Sequence, residues 1–208
     1  MLISFRKFYY CSLVLMTTLY PAETAISGPA PLLTPHLAQG VLLIAGENLR
    51  DPNFAETVIL ITHYSETGTS GLILNRRTKI PGPQVMPRLW QLIPLLEHLY
   101  IGGPVRTATI SLLLKSEYPI TDATQVTQGI YLIDTFEQFN NLPVDDIDQG
   151  NVRVYSGYVG WGSGQLESEL LRGSWHLWHA NPELVFSLTP ETLWNELIRV
   201  VSAKWVSL

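Results

Sequence analysis

From Gly40 onward the apolar residues of this chain come in short runs fenced by glycine and proline, and that spacing limits what it can fold into. VLLIA at Val41–Ala45 lies between two glycines, and TVILITHY at Thr57–Tyr64 is rich in β-branched residues. GLILN at Gly71–Asn75 returns after the turn SETGTSG. Runs of this length, bounded by turn residues, predict strands. LYIGGPV predicts a strand entering a tight turn, and TATISLLLK, GIYLIDT, NVRVYSGYVG and SWHLWHA predict four more. Pro81, Pro83, Pro87 and Pro94 rule out a long helix between them and leave room for a short one around Arg88 to Ile93. Other helices are scattered: a short one in FEQFNNL, one over Gln165–Arg172 and a last one over Thr189–Ala203. In the last, Thr189 is a good N-cap, Pro190 suits the first helical position and Glu191 favours the positive end of the dipole. Leu193, Leu197 and Val200 or Val201 then recur at helical spacing. Strands dominate and no regular βαβ alternation is present, so the pattern predicts a single α+β domain with a mixed, curved sheet.

The first residues differ in kind. Arg6 and Lys7 precede an apolar stretch from Phe8 to Tyr20, Pro21 ends it, and Ala25 and Ser27 occupy the −3 and −1 positions of a cut before Gly28. This is the three-part layout of a secretory signal. The alternatives are an uncleaved anchor and an upstream start codon wrongly included. Residues 1–27 are therefore expected to form a signal-like segment, 28–39 an extended proline-rich lead-in, and 40–208 the domain. Cleavage removes Cys11, the only cysteine, so thiol chemistry and disulfides are excluded from the mature chain, which is expected in the periplasm or secreted. Without cleavage the membrane is the expected partner of this segment. If the start is wrong, the protein is cytoplasmic.

The formal net charge is −5, and the densest basic cluster is Arg76, Arg77 and Lys79. Nucleic-acid binding draws on a basic patch that neutralises phosphates, and three residues are too few to supply one. They read as a solvated turn.

The run GYVGWGSGQLESELLRGSW, Gly157–Trp175, carries the densest motif. Neither phosphate-binding glycine signature is present, and Glu167 in the first turn of the following helix would repel a phosphate. Ser163 and Ser70 lack the flanking glycines of a nucleophile elbow. His176 and His179, three apart on a predicted strand, point to opposite faces, so neither a metal nor a cofactor is expected. The helix has Leu166 and Leu170 inward, Glu169 placed to pair with Arg172, and Gly173 as its C′ residue. The glycines suggest a backbone that turns sharply or approaches something closely, with Trp161 and Trp175 either packing the core or walling a pocket.

AQGVLLIA at Ala38–Ala45, DPNF at Asp51–Phe54, GLILNR at Gly71–Arg76, IGGPV at Ile101–Val105 and GYVGWGSGQLESEL at Gly157–Leu170 resemble, in this order, the YqgE/AlgH family of bacterial proteins. Trp175, LVF at Leu184–Phe186 and LW at Leu193–Trp194 extend the resemblance over nearly the whole domain. It implies one compact α+β domain whose mixed sheet curls into a partial barrel with a few peripheral helices. It implies no known reaction, and one branch carries the label of transcriptional regulator. The motif positions that a core does not obviously require form a candidate binding surface: Asn75, Arg76, Gly102, Gly103, Pro104, Gly160, Trp161, Gln165 and Glu169. The expected function is non-catalytic binding of a small molecule or a partner protein. A regulator of gene expression and a hydrolase using Glu169 or a nearby histidine as base are the alternatives.

Overall fold

In the computed structural model, which describes residues 35–81, 98–141, 149–187 and 189–206, one sheet carries the fold. Its strands are β1 (Val41–Ala45), β2 (Val58–Ser65), β3 (Gly68–Ile73), β4 (Arg77–Pro81), β5 (His98–Ile101), β6 (Val105–Lys115), β7 (Thr124–Thr127), β8 (Ile130–Ile133), β9 (Val152–Gly162) and β10 (Trp175–His179). They run in the order β10-β1-β2-β3-β9-β6-β8-β7, with β5 pairing both β9 and β4. The β5–β9 pair is parallel and the other pairs are antiparallel, which makes the sheet mixed. The helices are α1 (Phe136–Asn140), α2 (Gln165–Leu171), α3 (Pro182–Ser187) and α4 (Pro190–Val206). The domain is α+β, and the sheet curls into a half-barrel. The curl is visible where the chain enters β1. The Gln39 side-chain amide donates to the carbonyls of Gln125 and Val126 at 2.9 and 3.3 Å, tying the start of β1 to β7 at the far end of the strand order.

Alternation along the strands sorts the apolar side chains into three clusters. Inside the curl, Leu42, Ile44, Val58, Leu60, Leu72, Leu113, Ile130 and Tyr155 meet Leu193, Leu197, Ile198 and Val201 of α4. Val201 is therefore the core residue of the pair left open by helical spacing, and Val200 is exposed. The Trp194 indole N–H donates to the Ala45 carbonyl at 2.8 Å and pins α4 to β1. On the outer face, one cluster gathers Leu43, Ile59, Ile61, Ile73, Val159 and Trp161 under Leu166 of α2. A second gathers Leu99, Leu112, Leu114, Ile133, Val152 and Val154, with Phe139 of α1 against it.

β9 belongs to all three clusters, and a local irregularity makes this possible. Val154 lies in an outer cluster and Tyr155 in the inner one, yet Val159, four residues beyond Tyr155, is again outer. In an unbroken strand an even spacing keeps a side chain on the same face. Gly157, at φ 71°, supplies the extra residue that shifts the alternation. Opposite it, β6 jumps from the Val105–Tyr158 pair to the Ile110–Ser156 pair, so residues 106–109 face a single residue of β9.

Several expectations are corrected. Arg76, Arg77 and Lys79 do not form a solvated turn. Arg77 begins β4, pairs with Tyr100 of β5, and its guanidinium meets the Glu191 carboxylate at 2.5 Å. β3 starts three residues earlier than its apolar run, at Gly68, because Gly68–Thr69–Ser70 find partners in both β2 and β9. β7 and α3 were not anticipated. β7 is polar apart from Val126, and α3 is too short to show a period, although Asn181 caps it by accepting from the Leu184 N–H at 2.7 Å. The helix expected around Arg88 to Ile93 lies outside the described residues.

A Cβ at Gly102 would stand 2.2 Å from the Gly157 carbonyl oxygen, whereas one at Gly164 would meet nothing within 4 Å. Gly102→Ala is therefore expected to cost about 3 kcal/mol through overpacking. Gly164→Ala should cost only the left-handed backbone term of about 1–2 kcal/mol. Urea unfolding of both variants checks the order, and equal losses would contradict the tight packing.

Candidate functional site

The candidate residues fall into two groups. The first is the joint between the half-sheets. The Gly102 N–H donates to the Ser156 carbonyl at 2.8 Å, and its own carbonyl accepts from Ile73 N–H at 2.9 Å, so a single residue links β9, β5 and β3. A Cβ at Gly103 would stand 2.2 Å from the Tyr158 carbonyl carbon. Glycine is required at both positions because the backbones touch. Pro104 follows, exposed, and then the extruded residues of β6: Arg106, Thr107 and Ala108 are exposed and Thr109 half-buried. Arg106 has φ 45°, left-handed for a residue with a side chain. The Ser156 hydroxyl donates to the Thr107 carbonyl and holds the extrusion against β9. Gly160 is exposed on the same side, its Cβ position 4.0 Å from Val105 Cγ2.

Asn75 and Arg76 adjoin this joint through the backbone, since Ile101 N–H donates to the Arg76 carbonyl at 2.8 Å. Their side chains face the DPNF loop. The Asn75 amide accepts from Val58 N–H at 2.9 Å and donates to the Glu56 carbonyl at 2.8 Å, where the loop passes through a left-handed Glu56. The Arg76 guanidinium donates to the Pro52 carbonyl at 2.9 Å. Burial holds the Arg76 pKa below the usual arginine range, and Asp51 opposes that shift. Asn75 and Arg76 together fix the approach of Phe54, whose ring packs edge-on to Trp175 at 6.1 Å.

Trp161, Gln165 and Glu169 form the second group, on the outer face beneath α2. The Glu169 Oε2 atom accepts from both indole N–H groups, Trp161 at 3.0 Å and Trp175 at 2.9 Å. Its Oε1 accepts from Gln165 Nε2 at 3.1 Å, and Gln165 Oε1 accepts from Gly162 N–H at 3.1 Å. The two indole rings meet edge-on at 6.2 Å, and both tryptophans are buried. Glu169 thus does not pair with Arg172, which donates to the Ser168 hydroxyl at 2.6 Å. The indoles stand on the sheet side of the helix, where Glu169 also points, and Arg172 lies at its end. The helix closes as expected: Gly173 at φ 74° donates to Leu170 O at 2.9 Å and Ser174 N–H to Glu169 O at 3.0 Å.

The structure therefore joins Gly102–Pro104, Gly160 and the Asn75–Arg76 backbone around β9, and turns Trp161, with Gln165 and Glu169 above it, to the face opposite that of Gly160. Arg106 and Thr107 were missed by sequence reasoning. The signal present was a polar start, TAT, ahead of the apolar ISLLL within one predicted strand, with Arg106 just before it. Among the described residues no three His, Cys, Asp or Glu side chains converge as a metal site.

Replacing Glu169 by alanine leaves two buried indole donors without an acceptor. The expected loss is about 2–4 kcal/mol, against about 1 kcal/mol for Glu169→Gln, which keeps an acceptor oxygen. Urea unfolding followed by tryptophan fluorescence measures both. A loss below about 0.5 kcal/mol for the alanine variant, the range of an ordinary surface change, would deny the carboxylate its bridging role.

Comparison with known proteins places this arrangement. A sequence profile described as AlgH-like matches residues 42–205. A UPF0301 protein of Chlorobaculum tepidum is 35% identical over 164 residues, covering 78% of this chain and 86% of its own. A UPF0301 protein of Cytophaga hutchinsonii is 30% identical over 165 residues, covering 78% and 89%. Among solved structures, protein DIP2367 from Corynebacterium diphtheriae shares the fold with a TM-score of 0.67 at 23% identity, over 81% of this chain and 89% of that one. The solution structure of the AlgH protein from Pseudomonas aeruginosa matches with a TM-score of 0.59 at 28% identity, over 79% and 86%. These names state neither a reaction nor a ligand. With the profile spanning the curled sheet and its helices, and relatives alike over most of their length, the chain belongs to the AlgH-like family.

Proposed function

We propose that this AlgH-like protein is a non-catalytic binding domain whose contact surface is the Pro104–Thr109 extrusion beside Gly160. The observation that carries the reading is a four-residue, mainly exposed insertion in β6, with Arg106 left-handed, seated on a joint where backbones touch. Strained residues persist where the surroundings over-determine them, and exposed loops on rigid scaffolds carry recognition. The partner in this reading is a protein. Small ligands favour concave sites, whereas this segment is extruded from the ladder. The state of Glu169 weighs against the hydrolase alternative, since its carboxylate already accepts from two indoles and Gln165.

A photoreactive side chain placed at position 106 is expected to cross-link one discrete partner in cells. The same group at Leu171, 91% exposed at the end of α2, is the control and is expected to give none. Identical products from both positions, or none from position 106, would reject this surface.

We further propose that the protein is exported. The support is the order of Arg6 and Lys7, the apolar stretch Phe8 to Tyr20, and Ala25 and Ser27 before Gly28. An exported protein does not meet the chromosome, so export and the regulator reading exclude each other. The intact mass of protein from fractionated cells decides between them. A chain beginning at Gly28 in the periplasmic fraction is the expected result, and a full-length or later-starting chain in the cytoplasm would overturn it.

A further inference from the structure

Ser156, whose hydroxyl donates to the Thr107 carbonyl of the extrusion, also pairs in register with Ile101 of β5 on one side and Ile110 of β6 on the other. Residues paired in register share a face of the sheet. Leu99 and Val154, the pair two residues before Ile101 and Ser156, both lie in an outer cluster, so this row faces outward too. Its two isoleucines differ in cover. Ile110 is 8% exposed within the cluster, whereas Ile101 is 44% exposed and stands outside it. A single exposed isoleucine means little by itself. This one stands two strand spacings, roughly 10 Å, from β6, with the Ser156–Thr107 bond between them. Arg106 brings the charge. It is exposed and, among the described residues, makes no ion pair. Its left-handed backbone is followed at once by the carbonyl that Ser156 holds, so a constrained backbone carries the guanidinium. The formal net charge is −5, so this cation stands on an acidic molecule.

We propose that the partner protein seats an apolar side chain on Ile101 and a carboxylate on Arg106, so that its footprint crosses Ser156 from β5 to the extrusion. The inference rests on the extrusion being the contact surface, and it adds the chemistry of what that surface contacts. Complementary charge steers such an encounter and fixes its register, while an apolar contact shielded from water supplies affinity.

A photoreactive side chain at Ala108, exposed in the same segment, leaves both groups in place and reads the contact as cross-link yield in a cell extract. Ile101→Thr, which keeps the β-branch, and Arg106→Gln are each expected to lower that yield about fivefold or more, the loss of a contact that carries binding energy. Raising the ionic strength is expected to lower the yield of the parent chain and to leave that of Arg106→Gln unchanged. Full yield in either variant, or a parent yield indifferent to salt, overturns the two-point contact while the extrusion stands as a surface. No cross-link from position 108 in the parent chain removes the surface, and this inference with it. Urea unfolding checks that both variants keep the parent's stability. If Ile101→Thr does not, a photoreactive side chain at position 101 takes its place. It is expected to capture the same partner as position 108, and a different product or none overturns the contact at Ile101.

Discussion

The contact between Gly102–Gly103 and Gly157–Tyr158 is the constraint on which the rest of the structure depends. Side chains at these glycines would overlap the facing backbone at distances near 2–2.5 Å. Their absence lets β5 pass beside β9 and lets Gly102 bond to Ser156 on one side and Ile73 on the other. The two half-sheets are joined at this point. It also sets the alternation of β9, because the left-handed Gly157 adds the residue that turns Tyr155 inward and Val159 and Trp161 outward. Without that shift, Trp161 would enter the inner core and Glu169 would lose one of its two indole donors.

The consequence for function is a division of labour along one motif. The Gly-Trp run reads as a recognition loop, yet its tryptophan and the helix that follows it turn their hydrogen-bonding groups on one another. Glu169 gathers two indoles and Gln165 into a brace that fastens α2 to the outer face. Charge-assisted bonds of this kind are stronger than neutral ones, which suits a brace rather than a mobile reactive group. Asn75 and Arg76 act in the same sense on the DPNF loop. The exposed segment supported by this scaffold is the β6 extrusion, held to β9 by Ser156.

A second polar centre stands in the inner core, where Arg153 lies between the Tyr100 and Phe186 rings and caps the end of α3. A buried guanidinium carries a large desolvation cost, partly offset here by two aromatic faces and a helix-end carbonyl. β9 contributes Trp161 to the first of these centres and Arg153 to the second, on opposite faces.

The sequence by itself determined the elements with a strong local signal. β1 matches its apolar run residue for residue, β9 and α2 follow their predicted spans closely, and Gly173 ends α2 as its left-handed conformation requires. The curl of the sheet and the family were legible from ordered motifs rather than from any single one. Tertiary structure decided what has no local period. β4 is a strand because β5 lies beside Arg77, not because RTKIP looks like one. The glycines announced a close approach, but only the parallel pairing of β5 with β9 named the partner. The pairing of Trp161 and Trp175 on Glu169 depends on α2 lying over the face of the sheet to which both β9 and β10 turn their tryptophans. Local sequence encodes periodicity and turns, whereas contacts between distant strands are set by register, and here one left-handed glycine sets it.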